Sequence, residues 1–253
     1  MEARIPAIHS YCDRWCERCA FTARCAVFSA TADLSPEEED PEHEAFWERL
    51  SGQFAETLRL LEADAESHGL TLGEPGPEEE VRYRQAHAAR EAAVAAHPLS
   101  ICCAEYAATV DAVLSDSPIW REKGSALAEE VRLGIRTPGS SYQEIELAED
   151  CHQVIRWYQH FIGIKFRRAL NGQIGDGDAP DDPDCDASGS AKVALLGVER
   201  SRLAFTSLFR LIPDEDRLLP LLALLERIEA LGRKQFPAAH RFVRPGFDEA
   251  ACV

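Results

Sequence analysis

The sequence contains no apolar run long enough to cross a membrane, and its first residues lack the apolar core of a signal peptide. A membrane-spanning helix needs about 20 predominantly apolar residues, and an export signal needs a continuous apolar segment near the N-terminus. Cysteine is plentiful, with nine copies in 253 residues, but the number is odd and no export signal accompanies it. These features predict a cytoplasmic protein whose cysteines are thiols or metal ligands.

Basic residues are scarce as well. Four lysines and 23 arginines stand against 44 acidic residues, which gives a net charge of −17. A protein of this charge repels the phosphate backbone of nucleic acids unless a basic surface is segregated, and the sequence has no evident basic cluster. We therefore expect neither a nucleic-acid partner nor a membrane partner.

Period-two alternation of apolar and polar residues is also missing, so no β-strand is predicted. Apolar residues instead recur at helical spacing through most of the chain. In the segment 42–67 they share one helix face: Phe46, Trp47, Leu50, Phe54, Leu58 and Leu61. The sequence predicts an all-α fold, a helical bundle of about six or seven helices with an N-terminal cysteine-rich metal-binding cap.

Changes in composition divide the chain into four parts. Residues 1–28 are a cysteine-rich metal-binding segment, and residues 29–41 are an acidic linker. Residues 42–236 are the helical bundle, interrupted by an acidic flexible loop over 172–190, and residues 237–253 are a tail. The aspartates of the loop do not follow the spacing of a calcium-binding EF-hand, so a linker is the better interpretation.

The strongest chemical signal is a run of four cysteines within fourteen residues: Cys12, Cys16, Cys19 and Cys25, spaced C-x3-C-x2-C-x5-C. Four thiolates this close along the chain can surround one inorganic centre. Structural zinc sites usually use two separated pairs of ligands, whereas a [4Fe–4S] cluster is wider than one ion and suits a single crowded run. The spacing predicts a [4Fe–4S] cluster ligated by all four cysteines, with zinc as the alternative and a disulfide-bonded loop as the remaining interpretation.

The last three cysteines, C-x2-C-x5-C, resemble the cluster loop of the helix-hairpin-helix DNA glycosylases, and a similar stretch occurs in the auxiliary-cluster domains of some radical enzymes. The resemblance covers residues 12–25 and implies an iron–sulfur ligand set, with Cys12 as the preceding fourth ligand. It does not extend to glycosylase activity, because the segment 196–200 has one glycine where the hairpin of that family has two. Trp15 and Phe21 interleave the cysteines, and we expect them to shield the cluster from water.

Four charged or histidine residues are weaker candidates for a functional site. Glu149 and His152 form a single Glu-x-x-His motif, whereas a di-iron bundle needs two such motifs and further glutamates. Together with His160 they are predicted to lie on the solvated face of their helix. Arg202 falls among apolar residues and therefore requires a carboxylate partner, either as a structural ion pair or beside a site that binds an anion.

The sequence therefore predicts an iron–sulfur protein that transfers electrons, or senses redox state or iron, with a partner protein. The partner surface is predicted on the apolar C-terminal helices, where a homodimer contact is equally compatible: Leu218, Leu221, Leu222, Leu225 and Ile228. The alternatives are a zinc-stabilised helical adaptor without redox chemistry and a helical-bundle enzyme acting on a small molecule. No catalytic residues are identified.

Overall fold

The computed structural model describes residues 3–32, 34–70, 73, 76–114, 118–179 and 181–248. Over these ranges all regular structure is helical, as the sequence predicts. The α-helices are α1 (Ala26–Thr31), α2 (Pro36–Glu39), α3 (Glu44–Ser67), α4 (Pro77–Ala96), α5 (Pro98–Leu114), α6 (Pro118–Arg132), α7 (Pro138–Asn171), α8 (Asp186–Leu211) and α9 (Glu215–Gln235). Short 3-10 turns cover Ile8–Ser10, Cys16–Arg18, Thr22–Arg24 and Ala239–Arg241. Within the described ranges, no helix has the length and hydropathy of a membrane span.

The chain forms two compact units. The first contains Met1–His9 and Arg14–His87, and the second contains Ser10–Asp13 and Ala88–Val253. The division falls within α4. The predicted bundle over 42–236 includes residues of both units.

In the first unit, α3 is a 24-residue helix that begins where the His43 ring nitrogen accepts the N–H of Ala45 at 3.2 Å. The predicted apolar stripe is present, yet Ala65 is the one buried residue of α3, whereas the Trp47 and Phe54 side chains are 55% and 63% exposed. The helix therefore presents its apolar face to solvent.

The predicted linker 29–41 is partly helical. Ser35 accepts the N–H of Glu38 at 3.3 Å, and the Glu38 carboxylate accepts the N–H of Ser35 at 2.9 Å. This reciprocal capping box starts α2, and Pro36 occupies the first helical position, where its fixed φ is favourable. The acidic composition thus marks the first turn of a helix and not an extended connector.

The second unit has a core formed by α5, α7, α8 and α9, in which α7 and α8 make the most extensive contact. Its largest fully buried side chains are Leu99, Tyr106, Ile155, Tyr158, Ile162, Phe166, Leu170, Phe205, Leu208, Leu218 and Phe236. On α9, the residues Leu218, Leu221, Leu225 and Ile228 are completely buried. These four of the five positions at which the sequence predicts a partner surface are core residues of the second unit, and the fifth, Leu222, is half-buried. The partner itself stays a prediction.

The acidic loop is shorter than the predicted 172–190. A π turn at Gly172–Asp176 extends α7, and α8 already begins at Asp186. The Asp178 carboxylate accepts the N–H of Ala187 at 3.0 Å, and the Cys185 sulfur accepts the N–H of Ser188 at 3.4 Å. Asp178 is therefore a helix cap. The small residues that follow it in α8 are buried, which polar composition alone does not indicate.

The tail over 237–248 is bound to the second unit. Phe242 is buried, and Lys192 of α8 pairs with Asp248 at 2.7 Å. Burial opposes ionisation of Asp248, but hydrogen bonds from Arg244 and Lys192 bring its pKa well below the usual value. The carboxylate therefore stays charged and fastens the tail at neutral pH.

Candidate metal centre

Three of the four candidate ligands lie on two consecutive 3-10 turns of the first unit. Cys16 begins the first turn, and the N–H of Cys19 closes it by donating to the Cys16 carbonyl at 3.1 Å. Thr22 begins the second turn, which the N–H of Cys25 closes in the same way at 3.1 Å. The residues Cys16, Cys19 and Cys25 are all half-buried.

Cys19 also has a contact typical of a metal-binding thiolate. The backbone N–H of Phe21 donates to the Cys19 sulfur at 3.4 Å. Such N–H bonds stabilise negative charge on sulfur and tune bound metals. Beside it, the Arg18 guanidinium stacks 3.9 Å from the centroid of the Trp15 ring. That Trp15 and Phe21 shield a cluster stays a prediction.

Backbone contacts hold the chain around these turns. Arg24 donates its side-chain N–H to the carbonyl of Ala3 at 2.9 Å, and its own carbonyl accepts the N–H of Ile5 at 3.1 Å. Arg14, just before the first turn, has a φ of 61°, in the left-handed region. This conformation costs a non-glycine residue about 1–2 kcal/mol, so it persists because surrounding contacts hold it.

Cys12 belongs to the second unit, where its neighbour Tyr11 is anchored. The Tyr11 hydroxyl donates to the Asp186 carboxylate at 3.0 Å, and its ring lies 4.5 Å from the Phe242 ring. Burial, followed by the Asp186 contact, raises the pKa of Tyr11 to about 12. One residue earlier, the Ser10 carbonyl accepts a hydrogen bond from Lys165 at 3.1 Å.

The residue after Cys12 is anchored as well. The Asp13 carboxylate accepts the hydroxyl of the buried Tyr158 at 2.6 Å and pairs with Arg200. The Asp13 carbonyl accepts the indole N–H of Trp157 at 3.0 Å. Burial and the hydrogen bond to Asp13 raise the pKa of Tyr158, so its hydroxyl remains a donor at neutral pH. Cys12 thus lies between two fixed residues.

The donor set fits an iron–sulfur cluster or zinc by its chemistry, because thiolates are preferred ligands of both. None of the eight described cysteines is in a disulfide. In the described part of the chain, however, no three His, Cys, Asp or Glu side chains converge as a metal-binding group.

The weaker candidates separate in the structure. Arg202 is exposed and not buried, and it pairs with Glu229, which makes it a structural ion pair. His160 is exposed. His152 differs from its predicted solvated position, because it is half-buried and lines a cavity together with Glu149.

Comparison with protein-family models, with curated proteins and with solved structures finds no match to this chain. A function must therefore be argued from the residues. Sequence reasoning found the four cysteines but missed the anchors beside Cys12. Their partners Asp186 and Tyr158 lie 175 and 145 residues away along the chain, and no local pattern links them.

Proposed function

We propose that Cys12, Cys16, Cys19 and Cys25 ligate a [4Fe–4S] cluster, and that the protein transfers electrons, or senses redox state or iron, with a partner protein. The observation that carries the proposal is the N–H···S bond from Phe21 to Cys19 within a run of four thiols. Amide bonds to cluster ligands stabilise their charge and set the reduction potential. Half-exposed ligands suit exchange of electrons or iron with another molecule.

The ligands divide into one anchored residue and three on short turns. Tyr11 and Asp13 hold the backbone on both sides of Cys12. The turns that carry the other three cysteines are closed by local backbone hydrogen bonds. We expect the turns to close on the metal, so that binding and ordering of the loop are coupled.

The exposed face of α3 supports the proposal that the protein binds a partner protein. Trp47, Phe54 and Leu61 recur every seven residues, and Leu58 lies on the same face at 59% exposure. A helix with anchors at this spacing suits an apolar groove in another protein. Since α3 carries six acidic and two basic side chains, a basic rim on that groove would be complementary.

The same exposed helix supports a second candidate function. A zinc-stabilised helical adaptor would use four thiolates to fasten the loop and α3 to bind a partner, with no redox chemistry. The two candidates share the ligands and the surface, and they differ in the metal and its consequences. Enzymatic activity has no residue assigned to it in either candidate.

The deciding experiment is purification without oxygen, followed by a visible spectrum and counts of iron, sulfide and zinc per chain. We expect broad visible absorption that bleaches on reduction, with about four irons and four sulfides. The variant with Cys16→Ser and Cys19→Ser should lose them. Cys185→Ser is the matched control, because Cys185 is a half-exposed thiol outside the loop that caps α8, a position where serine is favourable.

Each result has a defined meaning. One zinc per chain, stable in air and lost in the double variant, selects the adaptor. Iron that survives the double variant contradicts the assignment of the ligands. A chain that takes up neither metal after anaerobic reconstitution with iron and sulfide, or with zinc, overturns both candidates.

A further inference from the structure

We propose that a cavity between α5, α6 and α7 binds an uncharged, largely aromatic small molecule that carries one hydrogen-bonding group. The cavity lies within the second unit and has a volume of about 460 Å³. Small-molecule sites occupy roughly 300–1,000 Å³. The proposal does not depend on the cysteine loop or on a metal.

The floor of the cavity is apolar. Leu114, at the end of α5, Leu127 on α6 and Ala148 on α7 line it, and all three side chains are buried. An apolar floor in a partly open cavity favours an apolar occupant, because the occupant removes both its own surface and that of the floor from water.

The wall is formed by two aromatic rings. Trp120 and His152 meet edge to face, with ring centroids 5.4 Å apart and an interplanar angle of 78°. The Trp120 indole N–H already donates to the carbonyl of Leu114 at 3.4 Å, so the indole offers the cavity its apolar surface. A flat aromatic ligand can continue this edge-to-face arrangement.

His152 supplies an uncharged polar group at the cavity lining. Burial, with a smaller contribution from Arg156, lowers the pKa of His152 below its usual 6.5, and the imidazole is therefore neutral at pH 7. In the ranges that the structure describes, no residue hydrogen-bonds to its ring nitrogens. A neutral imidazole can donate from one nitrogen and accept at the other, which matches one hydroxyl, amine or carbonyl on the ligand.

The basic groups at the cavity are already paired with carboxylates, and Glu149 is exposed, so that water screens its charge; both facts favour an uncharged ligand. Lys123 and Arg136 both bind the Glu144 carboxylate, and Arg136 also pairs with Glu130 at 2.8 Å. An ionic ligand would have to break this network and be desolvated as well. Glu149 adds a negative charge at the cavity lining and disfavours anions further.

Gly124 provides a test that leaves the fold intact. It lines the cavity on α6, and a Cβ built there meets nothing within 4 Å. Gly124→Leu therefore adds a bulky side chain at the cavity lining from a Cβ position that is open, and it improves helix propensity. Gly52→Leu is the matched control, since Gly52 lies inside α3 in the first unit, and its Cβ also meets nothing within 4 Å.

The probe is N-phenyl-1-naphthylamine, an uncharged aromatic amine whose fluorescence rises in apolar surroundings. We expect saturable binding of one probe per chain, weakened at least about tenfold by Gly124→Leu and unchanged by Gly52→Leu. His152→Phe keeps an aromatic ring but removes the hydrogen bond, and it should weaken binding about fivefold.

A second readout covers the case in which a variant unfolds. In the unaltered protein, the probe should shift the NMR signals of the His152 ring and lower its titration midpoint further, because the bound probe excludes water. No saturable binding overturns the proposal, and so does binding that leaves the His152 signals unchanged. Binding of equal strength in a folded Gly124→Leu variant also overturns it.

Discussion

Gly189→Ala tests the packing of the Tyr11 ring against α8. Tyr11 precedes Cys12, and its contacts hold the backbone at that cysteine. Gly189 lies in the first turns of α8, and a Cβ built there comes within 2.4 Å of the Tyr11 ring and 2.6 Å of the Phe242 ring. Real Cβ contacts are never this short, so both rings have to move. Because the Tyr11 hydroxyl binds Asp186 at 3.0 Å, a moved ring also loses this hydrogen bond.

The magnitude follows from three contributions. Overpacking a close contact costs about 1–3 kcal/mol, and the lost hydrogen bond costs about 1 kcal/mol. Replacing glycine by alanine inside a helix raises the free energy of unfolding by about 0.5–1 kcal/mol. We therefore expect Gly189→Ala to lower the free energy of unfolding by about 1–3.5 kcal/mol, which corresponds to a fall in Tm of roughly 2–14 °C.

Gly163→Ala is the matched control. Gly163 lies inside α7, and its built Cβ meets the Cys103 Cβ at 3.4 Å, an ordinary contact. This variant should gain up to about 1 kcal/mol from helix propensity. The assay is urea unfolding of both variants, repeated in a Tyr11→Ala background, where Gly189→Ala should cost less. Equal stability of the two variants would refute the packing of Tyr11 against α8.

Three further predictions concern other residues. Tyr158→Phe removes the hydroxyl that donates to Asp13 at 2.6 Å and should cost about 1–2 kcal/mol in urea unfolding. Because the pKa of His152 is lowered from 6.5 in the folded state, stability should fall as the pH drops below about 6.5, and His152→Gln should reduce this loss between pH 7 and 5. Phe54→Ala should change the free energy of unfolding by less than about 0.5 kcal/mol, whereas truncating the fully buried Phe205 should cost about 3–5 kcal/mol.

The long helices could be predicted because their signals are local. Proline marks the first residue of α5 and of α7, and the Thr137 side chain caps α7 by accepting the N–H of Ser140 at 3.2 Å. Apolar residues at helical spacing then indicate the length of each helix. The predicted metal site is likewise based on a local signal, because the four cysteines lie close together along the chain.

The remaining features depend on contacts between distant parts of the chain. The stripe of α3 has the pattern of a buried face, but the structure leaves it exposed, and periodicity cannot show whether a face has a partner. The helical pattern predicts that His152 lies on the solvated face of α7, but α6 supplies Trp120 beside it. Small residues such as Gly189 permit close packing that composition does not reveal.

The first unit buries few side chains, so burial alone gives it little stability. The proposed metal and the exposed face of α3 are both possible sources of further stability for it. Among its described residues, Ile5, Ile8 and Ala65 are the buried ones, whereas the second unit buries whole faces of four helices. Short segments with small cores usually depend on a metal, a disulfide or a bound partner for stability. Disulfides are absent among the described cysteines. Cys16, Cys19 and Cys25 and the apolar face of α3 belong to this unit. We therefore expect that the proposed metal and the proposed partner each protect residues 14–67 from proteolysis.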